Sequence, residues 1–224
     1  YNFYHMKQTF YFWLLLISIK ASAQNELKNL YPTLGYTPDI SFDAAENFRR
    51  LKLTYLKIDS LIKNYPSYEE AKKHLTETQI EIYENEEEYS NEDHLYIGTW
   101  GCSWYCGGGP DSIFASSTLD STPKFTYTAD NAHDFSLRTA WVEGSAGDGI
   151  GESITFRFHK KSAPVTTVQI FNGYMKSPET WQNNSRVKRF KLYVNDSAFA
   201  FLNLDDRTTK QIFNIDTIYG QNED

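Results

Sequence analysis

Two polar stretches of this 224-residue chain concentrate side chains able to do chemistry. The first, residues 141–152, carries Trp141, Glu143, Asp148 and Glu152 among glycines. The second, residues 172–186, carries Asn172, Tyr174, Lys176, Trp181, Asn183, Asn184 and Arg186. This mixture suits carbohydrate. Aromatic rings cover the apolar C–H face of a pyranose, while carboxylates, amides and guanidinium groups bond neighbouring hydroxyls in pairs. Each residue also has a plainer reading. Trp141 can be core, the glycines can serve a tight loop, and Arg186 can pair with Glu143 or Glu152.

Catalytic readings find less support. Glu143 and Glu152 are a conceivable glycosidase couple, but they lie on a loop. His74, His94, His133 and His159 fall in no H-E-x-x-H or comparable array, and there is no G-x-S-x-G motif or P-loop. Gly147-Asp-Gly-Ile-Gly151 is followed by a strand pattern, where a dinucleotide loop needs a helix N-terminus. No metal site is expected. Cys102 and Cys106, the two cysteines, enclose Ser-Trp-Tyr. That spacing favours a short disulfide loop over a zinc site, which needs two further ligands. It is one residue wider than a redox C-x-x-C. Two buried free thiols are the alternative.

Strands must position these loops. Ser153–Phe158 and Val187–Val194 alternate apolar and polar residues, Val165–Phe171 is rich in β-branched residues, and Ala198–Leu204 and Gln211–Ile215 follow. Short strands with turn signals about every ten residues argue an antiparallel sandwich. If the strands at 153–158, 165–171 and 187–194 pair in sequence, both loops fall at one end of it.

Upstream, Asn25–Ile40 reads as a linker. Ala44, Phe48, Leu51, Tyr55, Ile58 and Ile62 recur at helical spacing after Ser41. Pro66 ends this helix, and Ser67 with Glu70 marks the start of a second bearing Tyr68, Ala71, Leu75 and Ile82. Two helices bury little alone, so the hairpin is expected to pack on the downstream domain, a partner or a second copy. Glu81–Asp93 is strongly acidic, as a solvated helix end or linker would be. The EF-hand order of ligands is absent there.

The start reads as an export signal: Met6-Lys7, an apolar run over Phe10–Ile19 and Ala21-Ser-Ala23. The run is shorter than the roughly 20 residues of a membrane span, so no span is expected after cleavage; a buried helix or short anchor is the alternative. A secreted or periplasmic protein follows, and with it an oxidising compartment. The organisation expected is 1–23 leader and signal, 24–93 linker and hairpin with an acidic end, and 94–224 sandwich, ending short of its natural C-terminus. Net charge is −7. Residues 24–93 hold 15 acidic and 8 basic side chains. Nothing there invites nucleic acid.

Several motifs together resemble one family. Ala115-Ser-Ser-Thr-Leu119, Asn131-Ala-His-Asp134, Thr139-Ala-Trp-Val-Glu-Gly144, Gly147-Asp-Gly-Ile-Gly-Glu152, Asn172-Gly-Tyr174 with Lys176-Ser177, and Asn184-Ser-Arg-Val-Lys188 look like the discoidin-related (F5/8 type C) domain of bacterial NAD glycohydrolase toxins. The resemblance covers about 100–215. It implies a mainly β fold, a galactose-binding-like jelly-roll sandwich that recognises carbohydrate, here preceded by the short α-helical hairpin. It implies no NAD hydrolysis, because the toxins' catalytic domain is separate, and no cofactor, with room for a structural calcium. Phe135 stands where discoidin signatures have glycine. The expected function is non-catalytic recognition of a cell-surface glycan; a protein-interaction module of the envelope, with a protein partner on the hairpin, is the alternative.

Overall fold

The computed structural model describes residues 26–85, 94–98 and 109–218. The signal at 1–23, the acidic residues 86–93, Cys102 with Cys106, and the last six residues lie outside these.

Helix α1, Phe42–Ile62, starts where Ser41 accepts a hydrogen bond from the Ala44 amide at 3.1 Å. Its inner stripe buries Tyr55, Ile58 and Ile62. The second helix of the expected hairpin is two. α2 is Tyr68–Lys72, capped by Ser67, and α3 is Glu77–Glu84. Thr76 restarts the chain through a reciprocal capping box with Gln79. The three helices build their own small core of Ile58, Ile62 and Ala71, closed by Tyr65, Leu75 and Ile82. Tyr83 stacks on Tyr55 with ring centroids 5.7 Å apart. Glu84 ties α3 to α2 through Lys72 at 2.6 Å and the Tyr68 hydroxyl at 3.0 Å.

The strands form three sheets among the described residues. β3 (Ser112–Ala115) pairs antiparallel with β4 (Ile154–Arg157). β5 (Val165–Ile170) pairs antiparallel with β8 (Gln211–Ile218). β6 (Arg189–Val194) pairs antiparallel with β7 (Ser197–Asn203) across a turn at Asn195-Asp196, both at positive φ. The expected sequential pairing of β4, β5 and β6 is therefore not made: the three lie in different sheets, so alternation along the chain does not place the loops.

The stretch expected as a linker joins the sheets. β1 (Lys28–Leu30) lies parallel on β7, and β2 (Thr33–Leu34) lies antiparallel on β8. Gly35 and Tyr36 continue the ladder onto Lys210 at 2.8 and 3.0 Å. Tyr36 then meets Phe171 edge to face at 5.7 Å. The apolar interior collects Ile40, Leu95, Leu137 and Met175, with Ile97, Phe171 and Trp181 against them. Ala200, Leu202 and Phe213 are also buried. Residues 94–98 reach this core by pairing with 135–137: Leu137 N–H donates to Leu95 O, and Ile97 N–H to Phe135 O. The structure is thus β-rich with a few helices.

Candidate functional site

The first loop is organised by Ser116 to Leu119. The Trp141 indole donates to the Ser117 carbonyl at 3.1 Å, and Leu119 N–H donates to Val142 O at 2.9 Å. Ser117 Oγ donates to Glu152 at 2.6 Å and accepts from Gly144 N–H at 2.9 Å. Ser116 Oγ also donates to Glu152 and accepts from Ser153 N–H at 2.8 Å. The two hydroxyls favour the ionised form and hold Glu152 below the ordinary carboxylate range. Glu143 turns into its own loop, accepting from Ser145 N–H at 2.6 Å. It lies against Gly149, where φ is +61° and a Cβ would come within 2.9 Å of the carboxylate. Both carboxylates are thus engaged by loop donors. Asp148 is exposed, and Ile150 at the tip is 94% exposed.

The second loop contains a helix that hydrophobic spacing does not reveal. α4, Pro178–Asn183, begins with Ser177 as cap, Pro178 in the first turn and Thr180 closing a capping box. Seated on this helix, Trp181 packs on the core and donates from its indole to the Asn172 carbonyl at 2.8 Å. Arg186 lies over the Trp181 ring at 4.6 Å and forks onto Asp206 at 2.8 and 3.2 Å. Its Nη1 donates to the carbonyls of Trp181 and Asn184. Arg186 is thus in a structural ion pair, as its plainer reading had it, but with Asp206 and not with Glu143 or Glu152. The pairing lowers the Asp206 pKa and raises that of Arg186. Gly173, at φ +97°, leaves room for the aliphatic stem of Arg186, since a Cβ would sit 2.8 Å from its Cγ.

Asn172 is 3% exposed, and its amide holds the frame rather than the surface. It donates to Val187 O at 2.8 Å and Asp205 O at 3.3 Å, and accepts from Val187 N–H at 3.0 Å. Gln211, fully buried, exchanges two bonds with the Asp205 backbone. The pair knits the strand ends around the loop. Asn184 is exposed and caps α4 by donating to Thr180 O at 2.7 Å. Asn183, the last residue of that helix, is exposed.

Tyr174 and Lys176 remain. A segment not singled out from the sequence, residues 122–127, joins them to the first loop. Val142 N–H donates to Tyr127 O at 3.3 Å. Lys176 Nζ sits 4.2 Å from the centre of the Phe125 ring, which is 41% exposed. Tyr174 is half-buried, and burial raises its pKa, with Tyr127 adding to the rise and Arg138 opposing it. The loops therefore approach each other through Phe125 and Tyr127. Arg138 also lines a cleft of about 290 Å³ with Phe42, Phe48, Arg49, Lys52 and His94. Phe48 could be read from the sequence only as part of the helix's inner stripe.

No group of three His, Cys, Asp or Glu side chains fit to hold a metal occurs among the described residues. No described helix is long and apolar enough to cross a membrane. The sequence model of the NAD glycohydrolase translocation F5/8 type C domain matches residues 104–223, over half of the chain. No curated protein and no solved structure matches the chain significantly.

Proposed function

From the premise that the chain belongs to the NAD glycohydrolase translocation F5/8 type C domain family, we propose that it is an exported, non-catalytic glycan-recognition protein with a galactose-binding-like jelly-roll sandwich. The observation that carries this reading is the group formed by Phe125, Tyr127, Tyr174 and Lys176. It offers partly exposed rings, two phenols and an ammonium on one surface, and Arg138 extends it toward the cleft. Rings of this kind stack on a sugar's apolar face, and the phenols and ammonium bond its hydroxyls. Most remaining loop residues first selected for binding hold this surface in shape. Glu152 braces the first loop through Ser116 and Ser117, and Arg186 with Asp206 braces the second. Asp148 is exposed on the first loop. Any calcium would be structural.

The test is a glycan array probed with the full chain, with and without calcium, beside Tyr174→Ala and Lys176→Ala. A sugar-selective signal lost in both folded variants supports the reading. A signal that survives both sinks this site.

A second reading rests on α1. Phe42, Leu53 and Leu56 on its outer side are 80, 46 and 49% exposed. They suit a protein partner, and Leu53→Glu would abolish such binding without touching glycan recognition.

A further inference from the structure

The outer face of the β1-β7-β6 sheet carries a second arrangement that the loop site does not use. The β6–β7 register sets Arg189 opposite Asn203 and Lys191 opposite Phe201, while Phe190 and Leu192 face Leu202 and Ala200. Leu202 and Ala200 are buried. Side chains alternate across a strand, so Arg189, Lys191, Phe201 and Asn203 share the opposite, outer face. Tyr193 extends it and is 53% exposed. Asn29 of β1 joins from the other edge, accepting from Asn203 Nδ2 at 3.1 Å.

Both cations are held by rings. The Arg189 guanidinium lies 4.4 Å from the Phe201 ring centre and the Lys191 ammonium 5.0 Å from that of Tyr193. No described carboxylate forms an ion pair with either. Three described cations of neighbouring segments do have an acidic partner: Lys28 has Asp216, Arg186 has Asp206 and Arg207 has Asp205. A ring fixes a cation's position without neutralising it, so Arg189 and Lys191 present positive charge outward, about 7 Å apart along the strand.

We propose that this face binds an acidic polysaccharide, a sugar chain bearing carboxylate or sulfate groups. The two cations meet two anionic groups along the chain. Tyr193 supplies a ring for a pyranose face, and the Asn29–Asn203 amides supply partners for hydroxyls. The overall acidity disfavours nucleic acid, which needs a broadly basic surface. The sheet face uses neither Tyr174 nor Lys176, so the proposal stands independently of the loop reading.

The experiment measures binding of the full chain to heparin and to polygalacturonate, with neutral dextran and single-stranded oligo-dT as comparators, at low and at physiological salt. Arg189→Gln/Lys191→Gln is compared with the parent, with Lys57→Gln on the exposed side of α1 as control, and with Lys176→Ala on the loop surface, all checked for native circular dichroism. The expected result is binding to at least one acidic polysaccharide that weakens with salt. The double variant should lose about tenfold or more in affinity, and Lys57→Gln should match the parent. Should the double variant fold poorly, Tyr193→Ala replaces it, with the same expected loss. The proposal is overturned by no binding to either acidic polysaccharide, by tighter binding to oligo-dT, by unchanged affinity in the folded variant, or by loss in Lys176→Ala alone. That last outcome would assign anion binding to the loop surface instead.

Discussion

Replacing Asn172 with alanine separates a ligand contact from a structural brace. The side chain makes three hydrogen bonds to the backbone of Val187 and Asp205. Alanine would leave one N–H and two carbonyls without these partners. An unsatisfied buried polar group costs about 1–3 kcal/mol. The carbonyls suffer less, since each keeps a second acceptor site, and Val187 is 37% exposed, so water can reach part of the gap. The net expectation is a loss of about 3 kcal/mol, roughly a hundredfold in the folding equilibrium. Urea denaturation followed by tryptophan fluorescence measures it. Asn184→Ala is the control: it removes one exposed amide bond and should cost under about 1 kcal/mol. The reasoning fails if Asn172→Ala unfolds within about 0.5 kcal/mol of the parent, a difference typical of innocuous surface changes. It fails more instructively if the variant keeps its stability and loses sugar binding, which would return Asn172 to the ligand.

Three further outcomes are expected. Phe135 sits at φ +60°, a conformation that costs a residue with a Cβ about 1–2 kcal/mol. Phe135→Gly relieves this and Phe135→Ala does not, so the glycine variant should be the more stable by about 1 kcal/mol in urea titration; the reverse order would refute strain at this turn. Burial lowers the His133 pKa, outweighing Asp130 and Asp134. The unfolded chain therefore takes up the proton first, and stability falls as pH drops through about 6.5 toward the lower folded value. His133→Phe should flatten the change in unfolding midpoint between pH 7.5 and 5.5 relative to the parent; parallel pH curves would show that His133 does not contribute. Thr76→Ala removes the cap of α3 and should cost about 1 kcal/mol, read as a lower thermal midpoint.

Local signals carried far in this chain where they were complete within a few residues. Ser41 and Ser67 announce α1 and α2 by cap chemistry, and alternation marks β6 closely. Thr76-x-x-Gln79 is the same kind of signal as Ser67-x-x-Glu70, yet it lies inside an apolar periodicity that reads as one continuous helix. α4 is too short for periodicity, and only Ser177-Pro178 marks it. The roles of Asn172 and Arg186 were not legible, because their partners Asp205 and Asp206 are distant in sequence and set by packing. Carboxylates and amides selected as sugar ligands are the same groups a folded loop needs to satisfy its own backbone. Sequence alone cannot separate the two uses. The linker reading of 25–40 failed similarly: an edge strand of three residues has no room to alternate, and its pairing with β7 is long-range.

That long-range pairing bears on the order in which the molecule assembles. β1 and β2 emerge early in synthesis but find their places only against β7 and β8, some 170 residues later. Such distant contacts slow folding. Until they form, the flanks of β7 and β8 are open backbone edges that invite strands from other copies. A fragment starting at residue 94 would keep those edges open permanently. It is expected to aggregate where the full chain stays dispersed, even though it contains every residue of the loop site.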